Sequence, residues 1–354
     1  MSDNKHLSCD LNDKLLLYHF STCDNNSNEE VKNMRGIIVD YCGKLICKTF
    51  SFTPEYSPEQ YDELEKILSP CDKCKFFLSK EGTTLRLYYY NNKWHLSTHR
   101  KLDAFKSYWG SNKSFGELFE KTINTQLELT LEEFYNSLDK DYIYAFLLTN
   151  NSENRVVCYS SLSSIFCVGI FKMKDNNTIL LDTNDYVKIT GISTPKQLQF
   201  ESVRALCDFV KYISYYSNPG VVVYLPNDNL IKVINSTYSS LYKIRGNQPN
   251  LKFRYLQIRN DNEVKEKFLF LYSDFENLFK DVENKIFSLA TLIFEVYKIR
   301  YIHKHFLVVP GNQHYILKLC HHWHLQDRVT NKITLKKVLE IINLLPANNL
   351  FQLT

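Results

Sequence analysis

Apolar and polar residues alternate through most of the first two thirds of the chain, a spacing typical of half-buried β-strands. Shorter stretches between these strands have helical spacing. Polar turns such as Tyr90-Asn91-Asn92-Lys93 join neighbouring strands, which favours antiparallel pairing. The pattern predicts an α+β fold in which antiparallel sheets are flanked by helices. The predicted strands are 36–40, 44–52, 75–78, 84–90, 94–98, 142–148, 155–159, 165–171, 220–225 and 230–234, and the predicted helices are 58–68, 114–122, 130–137 and 195–215.

The pattern changes after about residue 247. Apolar residues then recur at helical spacing over 275–296 and again over 335–342. Ser273, followed three residues later by Glu276, has the form of a capping box, and Thr334 is suited to cap the second helix. We therefore predict two domains, one over 1–246 and an α-helical C-terminal domain over 247–354.

Composition adds a modest electrostatic constraint. The 354 residues are 44% hydrophobic and carry a formal net charge of +4, which suits a folded protein and permits a nucleotide or nucleic-acid partner. The ten cysteines are scattered, and Cys71-Asp72-Lys73-Cys74 has no second CxxC pair at zinc-site spacing. Adjacent His321 and His322 cannot share a helix face, so helix packing explains the histidine-rich tail better than zinc binding does. We expect no metal site from these residues.

Nothing in the sequence indicates a membrane protein. No apolar run reaches the roughly 18 residues needed to cross a bilayer, and the first thirty residues are polar, without a signal-peptide pattern. The expectation is a cytoplasmic protein without a membrane partner.

Several short segments whose residues could bind or react with a ligand follow one another in a fixed order. Arg35-Gly36 opens a buried strand, and Ser79-Lys80-Glu81-Gly82 interrupts strand formers ahead of Arg86. Phe146-Leu147-Leu148 then precedes Ser152-Glu153-Asn154-Arg155, and Pro219 precedes Gly220-Val221-Val222-Val223. Last comes Ile231-Lys232-Val233-Ile234, with Tyr238 beyond it. Each match alone is weak, whereas the ordered set is much more specific.

The ordered set resembles the bacteriophage-type ATP-dependent RNA ligases, a family of covalent nucleotidyltransferases, and in particular the forms carried by large DNA viruses. The resemblance covers most of the chain from Arg35 onward. It implies a ligase-like nucleotidyltransferase domain in which a motif lysine takes AMP, acids handle metal and ribose, and lysines hold the phosphates. Arg35, Glu81, Arg86 and Lys232 are the nucleotide- and phosphate-binding residues that it implies, and an active member would use ATP and Mg²⁺. A viral origin would place the protein in the host cytoplasm or the virion.

The departures from the family pattern fall on its polar groups. Ser79 stands three residues before Gly82, where the family has its lysine nucleophile. In the same alignment, Leu148 and Pro219 occupy the positions of two glutamates, and Ile234 occupies that of the second lysine of the last motif. A leucine and a proline cannot ligate the metal that stabilises charge during attack at the α-phosphate. The resemblance therefore implies a degraded active site.

Lys80 is the alternative nucleophile. Successive side chains on a strand point to opposite faces, so a shift of one residue would aim Lys80 away from a pocket that Ser79 faces. A bulge or turn near Gly82 could re-aim it. The direction of the two side chains relative to Lys232 and Arg35 distinguishes the two arrangements.

A second candidate binding region is basic and aromatic. Arg100, Lys101 and Lys106 alternate with Phe105, Tyr108 and Trp109, a combination that can contact RNA phosphates and stack on bases. A solvated helix whose aromatic side chains belong to the core explains the same pattern.

Three functions follow from these patterns. The leading hypothesis is a ligase-like protein with a degraded active site, acting as a catalytically inactive component that binds nucleotide, RNA or, through its C-terminal domain, other proteins. The second is an active ATP-dependent RNA ligase that forms lysyl-AMP at Lys80. The third is a structural or virion-associated protein.

Overall fold

The computed structural model describes residues 7–12, 14–149, 154–160 and 162–354. The chain divides into two compact units, Met1–Tyr242 and Lys243–Thr354. The first contains antiparallel sheets and helices, and the second is helical. The predicted α+β class with a helical C-terminal region is therefore confirmed. The Ser152-Glu153 pair quoted above lies outside the described residues.

Most strands of the first unit lie close to predicted strands, but those over 7–11, 15–20, 55–56, 177–180 and 197–198 were not predicted. The strands are β1 (Leu7–Leu11), β2 (Leu15–Phe20), β3 (Arg35–Asp40), β4 (Leu45–Cys47), β5 (Glu55–Tyr56), β6 (Lys75–Leu78), β7 (Gly82–Tyr90), β8 (Lys93–Thr98), β9 (Tyr142–Thr149), β10 (Ile165–Lys174), β11 (Asn177–Leu180), β12 (Gln197–Leu198), β13 (Gly220–Tyr224) and β14 (Leu230–Ile234). The predicted strand over 155–159 is wrong, because Val156, Val157 and Cys158 direct their amides at the Glu81 carboxylate instead of at a neighbouring strand.

These strands form three sheets. Sheet I has the order β1-β2-β3-β4, sheet II the order β11-β10-β9-β7-β8, and sheet III the order β12-β6-β13-β14-β5. Pairing is antiparallel except between β14 and β5, which run parallel. Because β6 and β7 lie in different sheets, Ser79-Lys80-Glu81 forms the crossing from sheet III to sheet II.

Helices cover one face of sheet II and one face of sheet III. The helices of the first unit are α1 (Glu29–Asn33), α2 (Tyr61–Leu68), α3 (Phe115–Leu127), α4 (Leu131–Asn136), α5 (Tyr186–Thr190) and α6 (Val203–Tyr212), and α7 (Ser236–Arg245) runs across the unit boundary. α3 begins with a capping box formed by Ser114 and Glu117. The predicted helix over 195–215 is shorter than expected, because Gln197 and Leu198 pair with β6 as β12.

Three apolar clusters form the core of the first unit. Leu85, Leu87 and Phe146 of sheet II pack with Phe119 and Phe134 of α3 and α4. The other face of sheet II packs against sheet I. Phe76, Val221 and Val233 of sheet III pack with Leu64 of α2 and Leu206 of α6. The faces of sheets II and III without these helices carry the polar groups described below.

The second unit is built on one long helix. Its helices are α8 (Leu251–Ile258), α9 (Asn262–Leu271), α10 (Glu276–Tyr297), α11 (Gly311–Gln326), α12 (Leu335–Asn343) and α13 (Ala347–Leu353). Thr334 caps α12 as predicted, by accepting a hydrogen bond from the Lys337 amide. The predicted capping box at Ser273 is wrong, because 273–275 forms a 3₁₀ turn and α10 begins at Glu276 without a side-chain cap. Across the described ranges, no helix is both long enough and apolar enough to span a bilayer.

Candidate functional site

The centre of the candidate site is one row of side chains across sheet III. Phe77 of β6 pairs with Val222 of β13, which pairs with Lys232 of β14, which in turn lies beside Glu55 of β5. Residues paired across strands share a face of the sheet. This face is opposite the one that α2 and α6 cover, which carries Phe76 and Val221.

Ser79 continues the alternation of β6 onto the face of Lys232. Its amide donates to the Gly220 carbonyl at 2.9 Å, so the pairing of β6 with β13 extends one residue beyond the strand. Ser79 is two residues from Phe77 and therefore lies on the same face, with its side chain buried. The hydroxyl at this position is a poor substitute for an amine nucleophile.

Lys80 lies beyond the end of β6. Its Nζ donates to Oδ1 of Asn218 at 2.8 Å, in the loop between α6 and β13. The β6–β13 register is unbroken from Lys75 to Leu78, and the Ser79 amide extends it by one residue. Lys80 follows in the crossing between sheets III and II, where its partner is Asn218, whereas the partner of Lys232 is Glu55.

Glu81 is buried and its carboxylate is surrounded by donors. Oε1 accepts from the Val156 amide at 2.8 Å, and Oε2 accepts from the Val157 and Cys158 amides at 2.8 and 3.0 Å. The Tyr238 hydroxyl also donates to Oε2, at 3.0 Å. Burial, followed by the Glu81 charge, raises the pKa of Tyr238, so this hydroxyl keeps its proton and remains a donor. Glu81 therefore joins the start of sheet II to the 156–158 segment and to α7.

Lys232 is held by a carboxylate that the sequence patterns did not identify. Its Nζ lies 2.9 Å from Oε1 of Glu55, and both side chains retain exposed surface. The charge of Lys232 lowers the pKa of Glu55, burial raises it, and Arg35 lowers it further. The pKa is therefore lowered overall. Tyr242 lies close enough to Glu55 and Glu81 that burial and both charges raise its pKa. The outcome is a polar face formed by Ser79, Lys232, Glu55 and the two tyrosines of α7.

Arg35 and Arg86 lie together in a second polar region. Arg86 is fully buried and donates from Nη1 to the Gly36 carbonyl and from Nη2 to the Thr98 carbonyl. Gly36 has φ +71°, and a Cβ there would lie 2.7 Å from Nη1, so only glycine allows this approach. Arg35 donates from Nη1 to the Ser51 carbonyl and to Thr53 Oγ1, each at 2.9 Å.

Two histidines complete this region, which we call the basic seam: His19, Arg35, Arg86 and His99. His19 and Arg35 are cross-strand neighbours, and the His19 and His99 ring centroids are 6.4 Å apart. Burial, followed by the nearby arginines, lowers the pKa of His19 to about 4 and the pKa of His99 well below its usual value. Burial lowers the pKa of Arg35 to about 10, against the opposing effect of Glu55. At neutral pH the seam therefore holds two guanidinium charges and two neutral imidazoles.

Comparison with known proteins gives viral relatives of the sequence. The chain is 31% identical over 288 residues to an immediate-early protein ICP-46 homolog of invertebrate iridescent virus 3, and the match covers 78% of this chain and 62% of the relative. It is 27% identical over 313 residues to the ICP-46 homolog of invertebrate iridescent virus 6, covering 83% and 68%. The chain thus spans less than two thirds of the first relative. No family model matches the chain.

Solved structures with a related arrangement include nucleic-acid ligases. An archaeal ATP-dependent RNA ligase has a TM-score of 0.45 at 10% identity, covering 75% of this chain and 67% of the ligase. A putative ATP-dependent DNA ligase from Aquifex aeolicus has a TM-score of 0.44 at 12% identity, covering 79% and 76%. A Naegleria gruberi RNA ligase variant, solved with ATP and Mn, has a TM-score of 0.38 at 10% identity, covering 55% and 58%. At TM-scores below 0.5, these likenesses do not determine what this chain does.

The remaining motif positions lie in different surroundings. Leu148 is buried among the residues that pack on α3 and α4, so its side chain points away from the face of sheet II that packs against sheet I. On β9 the neighbours that point the other way are Leu147 and Thr149, and neither is a carboxylate. Pro219 accepts from the Asn235 amide through its carbonyl, and Ile234 is buried on the Lys232 face.

The basic and aromatic stretch at 100–109 contains only a 3₁₀ turn, over Ala104–Lys106, so the helix suggested for it is wrong. Lys101 pairs with Asp10 at 3.0 Å and Lys106 with Asp103 at 3.6 Å. Phe105 and Trp109 pack against the sheet II core, whereas Tyr108 and Arg100 are exposed. The arrangement reduces the basic character of this stretch, because two of its three cations have carboxylate partners.

The carboxylates near the Lys232 face already accept from protein donors. Glu81 directs both oxygens at amides and at Tyr238, and Glu55 shares an oxygen with Lys232. Mg²⁺ binds through freely available carboxylate oxygens and retained water. Among the residues that the structure describes, no three histidine, cysteine or acidic side chains are grouped to hold a metal ion. In the C-terminal tail, His321 stacks on Tyr301, and His324 contacts the Asn331 carbonyl.

Proposed function

We propose that this protein is a ligase-like nucleotidyltransferase homologue that does not adenylylate itself, and that it acts by binding nucleotide or RNA through its cationic groups. The β6 register supports this proposal most strongly. It presents Ser79 on the face of Lys232, while Lys80 is bonded to Asn218. An amine that is bonded elsewhere cannot make an in-line attack on a phosphate held at Lys232.

The state of Glu81 supports the same conclusion. A carboxylate that accepts from three buried amides and a tyrosine has a structural role, and it has no free oxygen with which to orient a metal or a ribose. ATP and Mg²⁺ as cofactors of catalysis therefore belong to the alternative in which Lys80 is the nucleophile. That alternative requires Lys80 to leave Asn218 and turn towards Lys232.

Anion binding does not require the catalytic groups that are missing here. Lys232 retains exposed surface at its ion pair with Glu55, and Arg35 is half-buried. Electrostatic contact with phosphate requires only a cation within reach, without the near-attack geometry that catalysis needs. A viral protein with these properties would act on RNA or nucleotide in the infected cell.

Opposite changes to the Lys232–Glu55 pair test this proposal. Lys232→Ala is expected to weaken RNA binding about threefold to tenfold, since it removes a cation and leaves Glu55 unneutralised. Glu55→Gln is expected to strengthen binding, because it removes the competing anion. Filter retention of a short labelled RNA at low and moderate salt measures both effects.

This pair also separates binding from stability. Both substitutions break the same ion pair, so an effect through folding would move both affinities in the same direction. Equal affinities for the two variants and the unaltered protein would contradict the role of Lys232. Failure of the unaltered protein to retain RNA or to respond to ATP would support a structural or virion-associated role instead.

A further inference from the structure

The basic seam contains buried nitrogen atoms that lack partners. Within the described part of the chain, His19 Nδ1, His99 Nε2 and Arg86 Nε are buried without a hydrogen-bond partner. A buried donor or acceptor without a partner destabilises the folded protein. These three atoms, on three side chains of one cluster, can form hydrogen bonds to a bound group.

Charge in the seam is also unbalanced. Arg35 and Arg86 are both charged at neutral pH, and each lowers the pKa of His19 and of His99. Glu55 is the carboxylate that acts on Arg35, but it is already paired with Lys232. Cys47 and Tyr88, the acidic groups nearest Arg86, have raised pKa values and stay neutral. The uncompensated charge of two guanidinium groups matches a dianion.

The seam is fixed at Arg86 and partly exposed at Arg35 and His99. Arg86 cannot move easily, because two carbonyls hold its guanidinium. Burial decreases from Arg86 and His19 to the half-buried Arg35 and His99, and Arg100 beside them is exposed. A small anion can therefore approach from the side of Arg35 and Arg100 and meet groups that need little reorganisation.

We propose that the basic seam binds a phosphomonoester dianion and that binding draws a proton onto His19 or His99. The dianion would be held by Arg35 and Arg86, and its charge would favour imidazolium over neutral imidazole. The proposal deepens the proposed function, on which it rests for the nature of the ligand. A nucleotide and a 5′-phosphorylated RNA end both offer this group.

The two histidines give the site a characteristic dependence on pH. In the free protein, Arg35, Arg86 and Arg100 all disfavour protonation of His19, while Arg35, Arg86 and His19 disfavour protonation of His99. An anion among these charges reverses that preference, so protons are taken up on binding. Affinity must therefore increase as the pH falls.

Sulfate is the direct probe, since it remains a dianion across the range of histidine titration. Calorimetry with sulfate at about pH 5.5 and about pH 7.5 should show roughly tenfold tighter binding at the lower pH. Titrations in two buffers of different ionisation enthalpy should show proton uptake by the unaltered protein. Equal affinities at the two pH values, or no proton uptake, would overturn the proposal.

Variants assign the effect to the seam. Arg35→Gln should abolish sulfate binding, and His19→Gln with His99→Gln should leave binding that no longer depends on pH. Lys121→Ala, at an exposed position of α3, serves as the matched control and should bind sulfate normally. Sulfate binding and RNA retention are measured separately, so failure of the seam and failure of the Lys232 proposal are distinguishable. Sulfate binding that is unchanged in Arg35→Gln would contradict the assignment.

Competition identifies the source of the phosphate. Displacement of sulfate by ATP supports a nucleotide ligand. Displacement by 5′-phosphorylated RNA, but not by the same RNA with a 5′-hydroxyl, supports an RNA end. Sulfate that neither compound displaces would contradict a phosphomonoester site.

Discussion

Replacing Glu81 with alanine is expected to destabilise the first unit by about 4 kcal/mol, because several buried donors lose their acceptor at a cost of about 1–3 kcal/mol each. Three amides, at Val156, Val157 and Cys158, would lose their acceptor together with the Tyr238 hydroxyl. Because these groups are buried, water cannot replace the carboxylate at each of them. Urea denaturation followed by near-ultraviolet circular dichroism measures the change in the free energy of unfolding.

The neighbouring lysine provides the matched control. Lys80→Ala removes a single hydrogen bond to Asn218, so a loss of no more than about 1 kcal/mol is expected. Similar losses for the two variants would show that Glu81 does not organise the 156–158 segment. A small loss for Glu81→Ala alone would have the same meaning.

Acidification is expected to destabilise the protein between about pH 6.5 and about pH 4. The folded-state pKa of His19 is lowered to about 4, so the unfolded chain binds a proton more readily as the pH falls below the ordinary histidine value of 6.5. The contribution of neutral His19 to the free energy of unfolding is therefore fully present above about pH 6.5 and is lost as the pH falls towards 4. His19 alone should cost about 2 kcal/mol at about pH 5, and His99 adds to this loss in the same direction.

Urea denaturation at about pH 7.5 and about pH 5 tests this dependence. Glu55 and other carboxylates with lowered pKa values titrate below this window, so the loss within it reports the histidines. His19→Gln should reduce the loss, whereas His322→Gln, at an exposed position of α11, should not. Equal free energies of unfolding at the two pH values would contradict the buried, neutral state of the seam.

The alternating strands were predictable because one face of each is apolar and the other polar. For β6 and β14, this alternation already separates Ser79 from Lys80 and aligns Lys232 with Ile234. For β9, the sequence did not show which side chains occupy which face of the sheet. Its run from Tyr142 to Leu148 is apolar on both faces, so motif order alone assigned Leu148 to a position that the structure buries in the core.

The groups that the sequence did not reveal are brought together by long-range pairing. Glu55 lies on a strand of two residues, too short for any periodic signal, and reaches Lys232 only through sheet III. His19 and His99 are eighty positions apart and meet where sheet I packs against sheet II. The donors to Glu81 include backbone amides, which almost every residue type has, so the sequence does not identify them.

Covalent labelling tests the central claim most directly. The protein is incubated with α-labelled ATP and Mg²⁺ and then separated by denaturing electrophoresis, with an active RNA ligase as the positive control for the label. We expect no protein-bound AMP, because Ser79 occupies the Lys232 face and Lys80 is bonded to Asn218. A labelled protein band that disappears in Lys80→Ala would contradict this account and identify Lys80 as a working nucleophile.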